Sequence, residues 1–155
     1  MSNAQAWNNA SQVIGKTIQT TLKAVEKEVA QRTYRASNEL RNAELEVLRG
    51  QRSGRVYKIP HTSKTYTASA PGQPPAVRTG AFRLSWGTHV HVEKVGVHFK
   101  AVAAIESKER AGGRLLGEML ENGTSKMAPR PYKQKIIDKA LPKIKQIYSK
   151  PYKGS

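Results

Sequence analysis

The chain has 155 residues, with 27 lysines and arginines against 11 aspartates and glutamates, a formal charge of +16, and no cysteine. Its length bounds it to one domain able to bury a real core, and the absent cysteines exclude a disulfide framework and a thiolate metal site. The longest unbroken aliphatic run, Ala101 to Ile105, is far short of a membrane span.

Residues 1–10 are polar apart from Trp7 and read as an N-terminal arm. They lack a basic segment leading into an apolar run, so no signal peptide is expected. From Ser11, a plausible N-cap, apolar residues recur at threes and fours: Ile14, Ile18, Leu22, Val25, Val29, Ala36, Leu40, Ala43 and Val47. Gly50 is a plausible stop. The period predicts one helix over residues 11–50, roughly 55 Å long; two shorter helices breaking near Thr33-Tyr34 are the alternative. Glu28 stands at i,i+4 from Arg32, a helpful spacing, and Lys23 stands so from Lys27, an unhelpful one. One long helix cannot be covered by a domain this size, so part of its stripe must meet another subunit or a partner.

Residues 51–54 read as a turn and Val56 to Ile59 as a short strand stopped by Pro60. A polar loop, His61 to Thr65, leads into a proline-rich stretch, so that residues 60–80 form one extended loop. Prolines fix φ, remove donors and bias the preceding residue towards extended geometry. Residues 70–78 are therefore read as a stiff arm with one bend at Pro71-Gly72, suited to a type II turn. Ala76 and Val77 make it apolar enough to lie along a surface. Phe82, Leu84 and Trp86 have the size of core anchors.

Trp86, Thr88, Val90 and Val92 then alternate with Gly87, His89, His91 and Glu93, and after Gly96 a second alternation runs from Val97 to Ile105. This predicts a hairpin with one buried face. Ser107 to Gly113 is a charged loop. Leu115 to Leu120 suggest a two-turn helix closed by Asn122-Gly123. A last helix carries Ile136, Ile137, Ala140, Leu141, Ile144, Ile147 and Tyr148 on one side, with Pro142 expected to kink or break it. Residues 150–155 form a basic tail. The fold expected is α+β: a small antiparallel sheet packed with a long N-terminal and a C-terminal helix, plus the extended arm.

The charge is uneven. Residues 11–50 hold seven basic and five acidic side chains, whereas residues 126–155 hold nine basic ones against Asp138 alone. A basic excess of this size implies a polyanion, most simply nucleic-acid phosphate; the bland reading is a solvated basic face. Lys133, Lys139, Lys143 and Lys150 lie off the apolar stripe of the last helix and are the candidates for backbone-phosphate contact without sequence reading. Catalytic chemistry finds no footing: carboxylates are few and unpaired, and no nucleophile-elbow pattern surrounds a serine. His89 and His91 share a strand face, but no carboxylate stands at a ligand spacing that would join them and His98 in a metal site. Gly112-Gly113-Arg114 lacks the rest of a phosphate-binding loop. No metal, cofactor or enzymatic activity is expected.

Three blocks carry a family resemblance: Ser53-Gly54-Arg55-Val56-Tyr57; Ala68-Ser69-Ala70-Pro71-Gly72-Gln73-Pro74-Pro75-Ala76, continued by Thr79-Gly80, Arg83 and Ser85; and Leu120-Glu121-Asn122-Gly123-Thr124, continued by Pro129-Arg130-Pro131-Tyr132. In this order they resemble the small tail-completion proteins of the neck of long-tailed bacteriophages, over roughly residues 50–148. Asn122 departs from the family's usual aromatic and Tyr132 from its usual phenylalanine. The resemblance implies a structural virion protein, present in the host cytoplasm during assembly. It implies a homo-oligomeric ring, hexameric to match a tail or dodecameric to match a portal. The ring would join the head connector or head-closure ring to the tail terminator and tail tube, with double-stranded DNA passing through its lumen and no membrane involved. In that setting Ala70, Pro71, Gly72, Pro74, Pro75, Ala76, Val77 and Arg78 would be a partner-docking strap. The rival reading is a stand-alone, sequence-nonspecific nucleic-acid-binding protein.

Overall fold

The computed structural model describes residues 3–152. In chain order its elements are helix α1 (Asn3–Arg49), strands β1 (Val56–Lys58) and β2 (Thr65–Thr67), helix α2 (Ala81–Leu84), strands β3 (Trp86–Val95), β4 (His98–Ser107), β5 (Arg110–Ala111) and β6 (Arg114–Leu115), and helices α3 (Leu116–Asn122) and α4 (Lys133–Ser149). The fold is α+β. In place of one small sheet it has three separate two-stranded antiparallel ones, β1–β2, β3–β4 and β5–β6.

Helix α1 is continuous over 47 residues, about 70 Å. The expected arm at residues 1–10 is thus corrected from Asn3 onward, and Ser11 is interior rather than a cap; Met1 and Ser2 lie outside the described residues. Extending an existing helix adds a hydrogen bond for each residue fixed, and Ala4, Ala6 and Ala10 are good helix formers. No break occurs at Thr33-Tyr34. Thr33 is fully buried, its hydroxyl donating to the Val29 carbonyl at 2.7 Å and accepting from the Tyr148 hydroxyl at 3.0 Å. Residues 3–20 are exposed throughout, and burial begins at Thr21.

Strands β3 and β4 pair from Trp86↔Ser107 to Val95↔His98. Gly96, at φ 63°, stands first in the two-residue turn, the positive-φ position of a type II′ hairpin. The hairpin leans on α1, where the Ser37 hydroxyl donates to the Ala104 carbonyl at 3.1 Å. Its inner face is only partly covered: Trp86, Val92, Phe99 and Ile105 are half-buried, while Val90 on the same face stays exposed.

Helix α4 runs antiparallel to α1, with Lys139 beside Glu46, Lys143 beside Glu39, and Tyr148 beside Thr33. Pro142 does not break it. The residue is exposed, and the Ile136–Ala140–Ile144 face packed on α1 holds the helix across the one missing donor. The expected basic tail is tied down as far as Tyr152. The Arg32 guanidinium, held by Glu28 as the i,i+4 spacing predicts, donates to the carbonyls of Lys150 and Pro151 and lies 4.0 Å from the Tyr152 ring. Residues 153–155 lie outside the described residues.

The core is small: Ala43, Leu48, Tyr132, Ile136 and Ala140 are buried together, with Phe82, Trp86 and Leu120 among the side chains packed around them. Leu84 is corrected as an anchor, being 65% exposed, because the one-turn helix α2 puts Phe82 and Trp86 on one side and Leu84 on the other. The accessible surface is 10948 Å², against roughly 7,800 Å² for a compact monomer of this length. Among the described residues no helix is long and apolar enough to cross a membrane.

Candidate assembly and nucleic-acid surfaces

The proline-rich arm bends where expected. Gln73 donates its backbone N–H to the Ala70 carbonyl at 3.1 Å across Pro71-Gly72, and Gly72 has φ 77°, the i+2 geometry of a type II turn. The arm does not stand free, however. Arg52 donates to the Pro75 carbonyl through Nε at 3.1 Å and through a terminal nitrogen at 2.9 Å. The same terminal nitrogen reaches the Val47 carbonyl at 2.8 Å. One guanidinium thus caps the C-terminus of α1 and fastens the arm to it. The Gln73 carboxamide accepts from the backbone N–H groups of Ser53 and Ala70 and donates to the Ser53 hydroxyl at 2.9 Å. Of the eight strap candidates, Pro75 is buried and Ala70, Pro74 and Ala76 are half-buried; Pro71, Gly72, Val77 and Arg78 are exposed.

The three separated sequence blocks meet here. Gln73 joins the first to the second. Arg130 donates to the Ser69 carbonyl, Gly72 N–H to the Pro129 carbonyl at 3.3 Å, and Lys135 Nζ to the Gly72 carbonyl at 3.2 Å, joining the second to the third and to α4. Between them lies an apolar cavity of about 480 Å³, lined by Pro75, Val77, Phe82, Leu116, Leu120 and Met127, with Arg78, Arg83 and Arg130 also on its wall. Beneath it Phe82, Trp86 and Tyr132 form an edge-to-face triad with centroids 5.6–5.8 Å apart. The Tyr132 hydroxyl donates to the Gly117 carbonyl at 3.0 Å. Burial, aided by Glu121 and Glu118, pushes its phenol well above the ordinary range. Glu121 accepts from the backbone N–H groups of Tyr132 and Lys133 at 2.9 and 3.1 Å, capping the N-terminus of α4.

The four lysines proposed for phosphate contact do not make one free patch. Lys139 pairs with Glu46 at 2.7 Å, a contact that holds the Glu46 carboxyl below its usual range, and Lys143 pairs with Glu39 at 3.2 Å. Only Lys133 and Lys150 have no carboxylate beside their side chains among the described residues.

The freer basic surface is elsewhere. From Val47 to Val92 the chain has no acidic residue and seven basic ones, at 49, 52, 55, 58, 64, 78 and 83. Arg55, Lys58 and Lys64 project from the β1–β2 hairpin, and all three are exposed. This acid-free run was readable in the sequence, but the heavier total charge of the C-terminal region masked it.

His89 and His91 sit on β3, and His98 pairs with Val95 at the far end of the hairpin, roughly 20 Å along the strand from His89. His89 instead faces Glu106 at 3.4 Å. Gly112 and Gly113, at φ 55° and 78°, form the tight β5–β6 turn rather than a phosphate cradle.

Comparison of the chain with protein-family models, with curated proteins and with solved structures finds no match.

Proposed function

We propose that this protein is a structural component of the neck of a long-tailed phage. It would form a homo-oligomeric ring, hexameric in the simplest case, that joins the head connector or closure ring to the tail terminator and tail tube, with DNA passing through the lumen. The observation that carries the reading is the uncovered N-terminal part of α1. Trp7, Val13, Ile14 and Ile18 are 77, 63, 60 and 52% exposed along residues 3–20, a stretch whose one charge is Lys16. A surface of that kind is unfavourable in water and marks an interaction site. It continues the stripe that packs on the hairpin and α4 from Val29 onward, so another copy offers the matching chemistry. In a chain of charge +16 it is also the surface over which two copies repel each other least. Identical subunits joined head to tail form a ring when the rotation between neighbours closes. The order of the three neck-like blocks, and their convergence around the arm and its cavity, supports the more particular assignment. A nucleic-acid-binding monomer acting alone would leave the α1 stripe bare.

Electron microscopy of lysates from a phage whose copy of this gene is disrupted tests the assignment. Filled heads and separate, unjoined tails are expected. Normal joined virions, or empty heads with no tails, would contradict it.

A further inference from the structure

We infer that the β1–β2 hairpin is a sequence-blind contact for the backbone of double-stranded DNA. The inference deepens the neck reading by naming the surface that would meet DNA, and rests on that reading only for where the DNA lies. The hairpin is a narrow ribbon: Val56↔Thr67, Tyr57↔Tyr66 and Lys58↔Thr65 pair in register. Hydrogen bonds extend the ladder at both ends, from Ala68 N–H to the Arg55 carbonyl and from Ile59 N–H to the Lys64 carbonyl, each at 2.9 Å. Its base is firm, because Gly54 N–H also donates to the Ala68 carbonyl and any Cβ at Gly54 would meet that oxygen at 2.6 Å. On this ribbon Arg55 and Lys64 lie on one face with Tyr57 and Tyr66, and Lys58 lies on the other, so Arg55 and Lys64 are the pair that can meet one backbone together. None of the three pairs with a carboxylate among the described residues, in contrast to Lys139 and Lys143 of α4.

The rest of the hairpin fits phosphate better than an acidic protein or a single strand. Residues 55–67 hold no acid to repel phosphate. Ser63 and Thr65 are exposed hydroxyls of the kind that donate to phosphate oxygens, whereas the Thr62 hydroxyl is spent on the Ile59 carbonyl at 2.9 Å. The two aromatic rings, Tyr57 and Tyr66, stack on each other with centroids 5.8 Å apart and planes 27° apart, so one face of each is already taken and is closed to an unpaired base.

Fluorescence anisotropy of the full-length protein with two short duplexes of unrelated sequence, across a salt series, tests this. The wild type is expected to bind both alike. The Arg55→Ala/Lys58→Ala/Lys64→Ala variant should bind at least about tenfold more weakly at low salt. The slope of log affinity on log salt should shrink by about 1.8, at roughly 0.9 for each of the two phosphate contacts made from the Arg55 and Lys64 face. Lys139→Ala/Lys143→Ala should change both quantities little. If the triple variant melts below the wild type, Arg55→Ala and Lys64→Ala made singly should each still remove about 0.9 of slope. Four results overturn the inference: no duplex binding by the wild type, an unchanged slope in the hairpin variants, tighter binding to a single strand, or equal displacement by polyglutamate. Any of them leaves the neck reading standing, because head–tail joining is scored separately.

Discussion

Tyr132 shows what one hydroxyl does in this fold. Its ring completes the aromatic triad, a role phenylalanine would fill equally, but its O–H donates to the Gly117 carbonyl. Gly117 in turn leaves room for that hydroxyl, since a Cβ there would lie 2.7 Å from its oxygen and force the Tyr132 side chain to shift. Tyr132→Phe is therefore expected to cost about 1–2 kcal/mol, read as a melting temperature lower by roughly 2–8 °C. Gly117→Ala should cost a similar amount through overpacking. A Tyr132→Phe protein melting with the wild type would remove the hydroxyl from the account. The sequence marked Tyr132 as a departure from the family pattern without revealing its partner, because Gly117 is fifteen residues away and the contact exists only once α3 and α4 have docked. The lysines of α4 were misleading for the same reason. Their spacing placed them off the apolar stripe, but only the antiparallel register of α4 on α1 brings Glu46 and Glu39 beside two of them.

At the scale of elements, periodicity was informative where it was long. The stripe of α1, the alternation of β3 and β4 and most of the face of α4 were legible, although Ile137 and Leu141, expected on that face, are exposed, and the type II turn at Pro71-Gly72 followed from residue type alone. The short strands β2, β5 and β6 were not legible, since two or three residues carry no period and pairing decides them. Nor was the seating of the arm, which depends on Arg52, Gln73 and Arg130 reaching it from outside. That seating changes what a flexible replacement should do. Exchanging residues 70–78 for a Gly/Ser linker removes Pro71, Pro74 and Pro75, each of which limits the unfolded chain, and should cost about 1–3 kcal/mol through that entropy. The anchoring of Phe82 and Trp86 below the arm is untouched, so the subunit should remain folded, with a lower thermal midpoint and new protease sensitivity at the arm. Global unfolding would show the arm to be part of the core; an unchanged midpoint would show that neither its prolines nor the Gln73 fastening contributes.

On the scale of the whole molecule the central fact is surplus surface. The chain exposes 10948 Å², where roughly 7,800 Å² would do, and its least charged helical stretch projects bare; in the assembly we propose, another copy covers that stretch. The sequence foresaw that a single helix of this length would outrun its own domain, but placed the helix start eight residues too late and so took Trp7 for part of an arm. Sedimentation velocity on the purified protein, wild type beside Ile14→Asp/Ile18→Asp, tests the claim most directly. Both side chains are already in water in the isolated subunit, so the double variant should melt like the subunit it came from. The account predicts a discrete oligomer for the wild type and a folded monomer for the variant. A monomeric wild type at high micromolar concentration, or a variant that assembles as the wild type does, would contradict it.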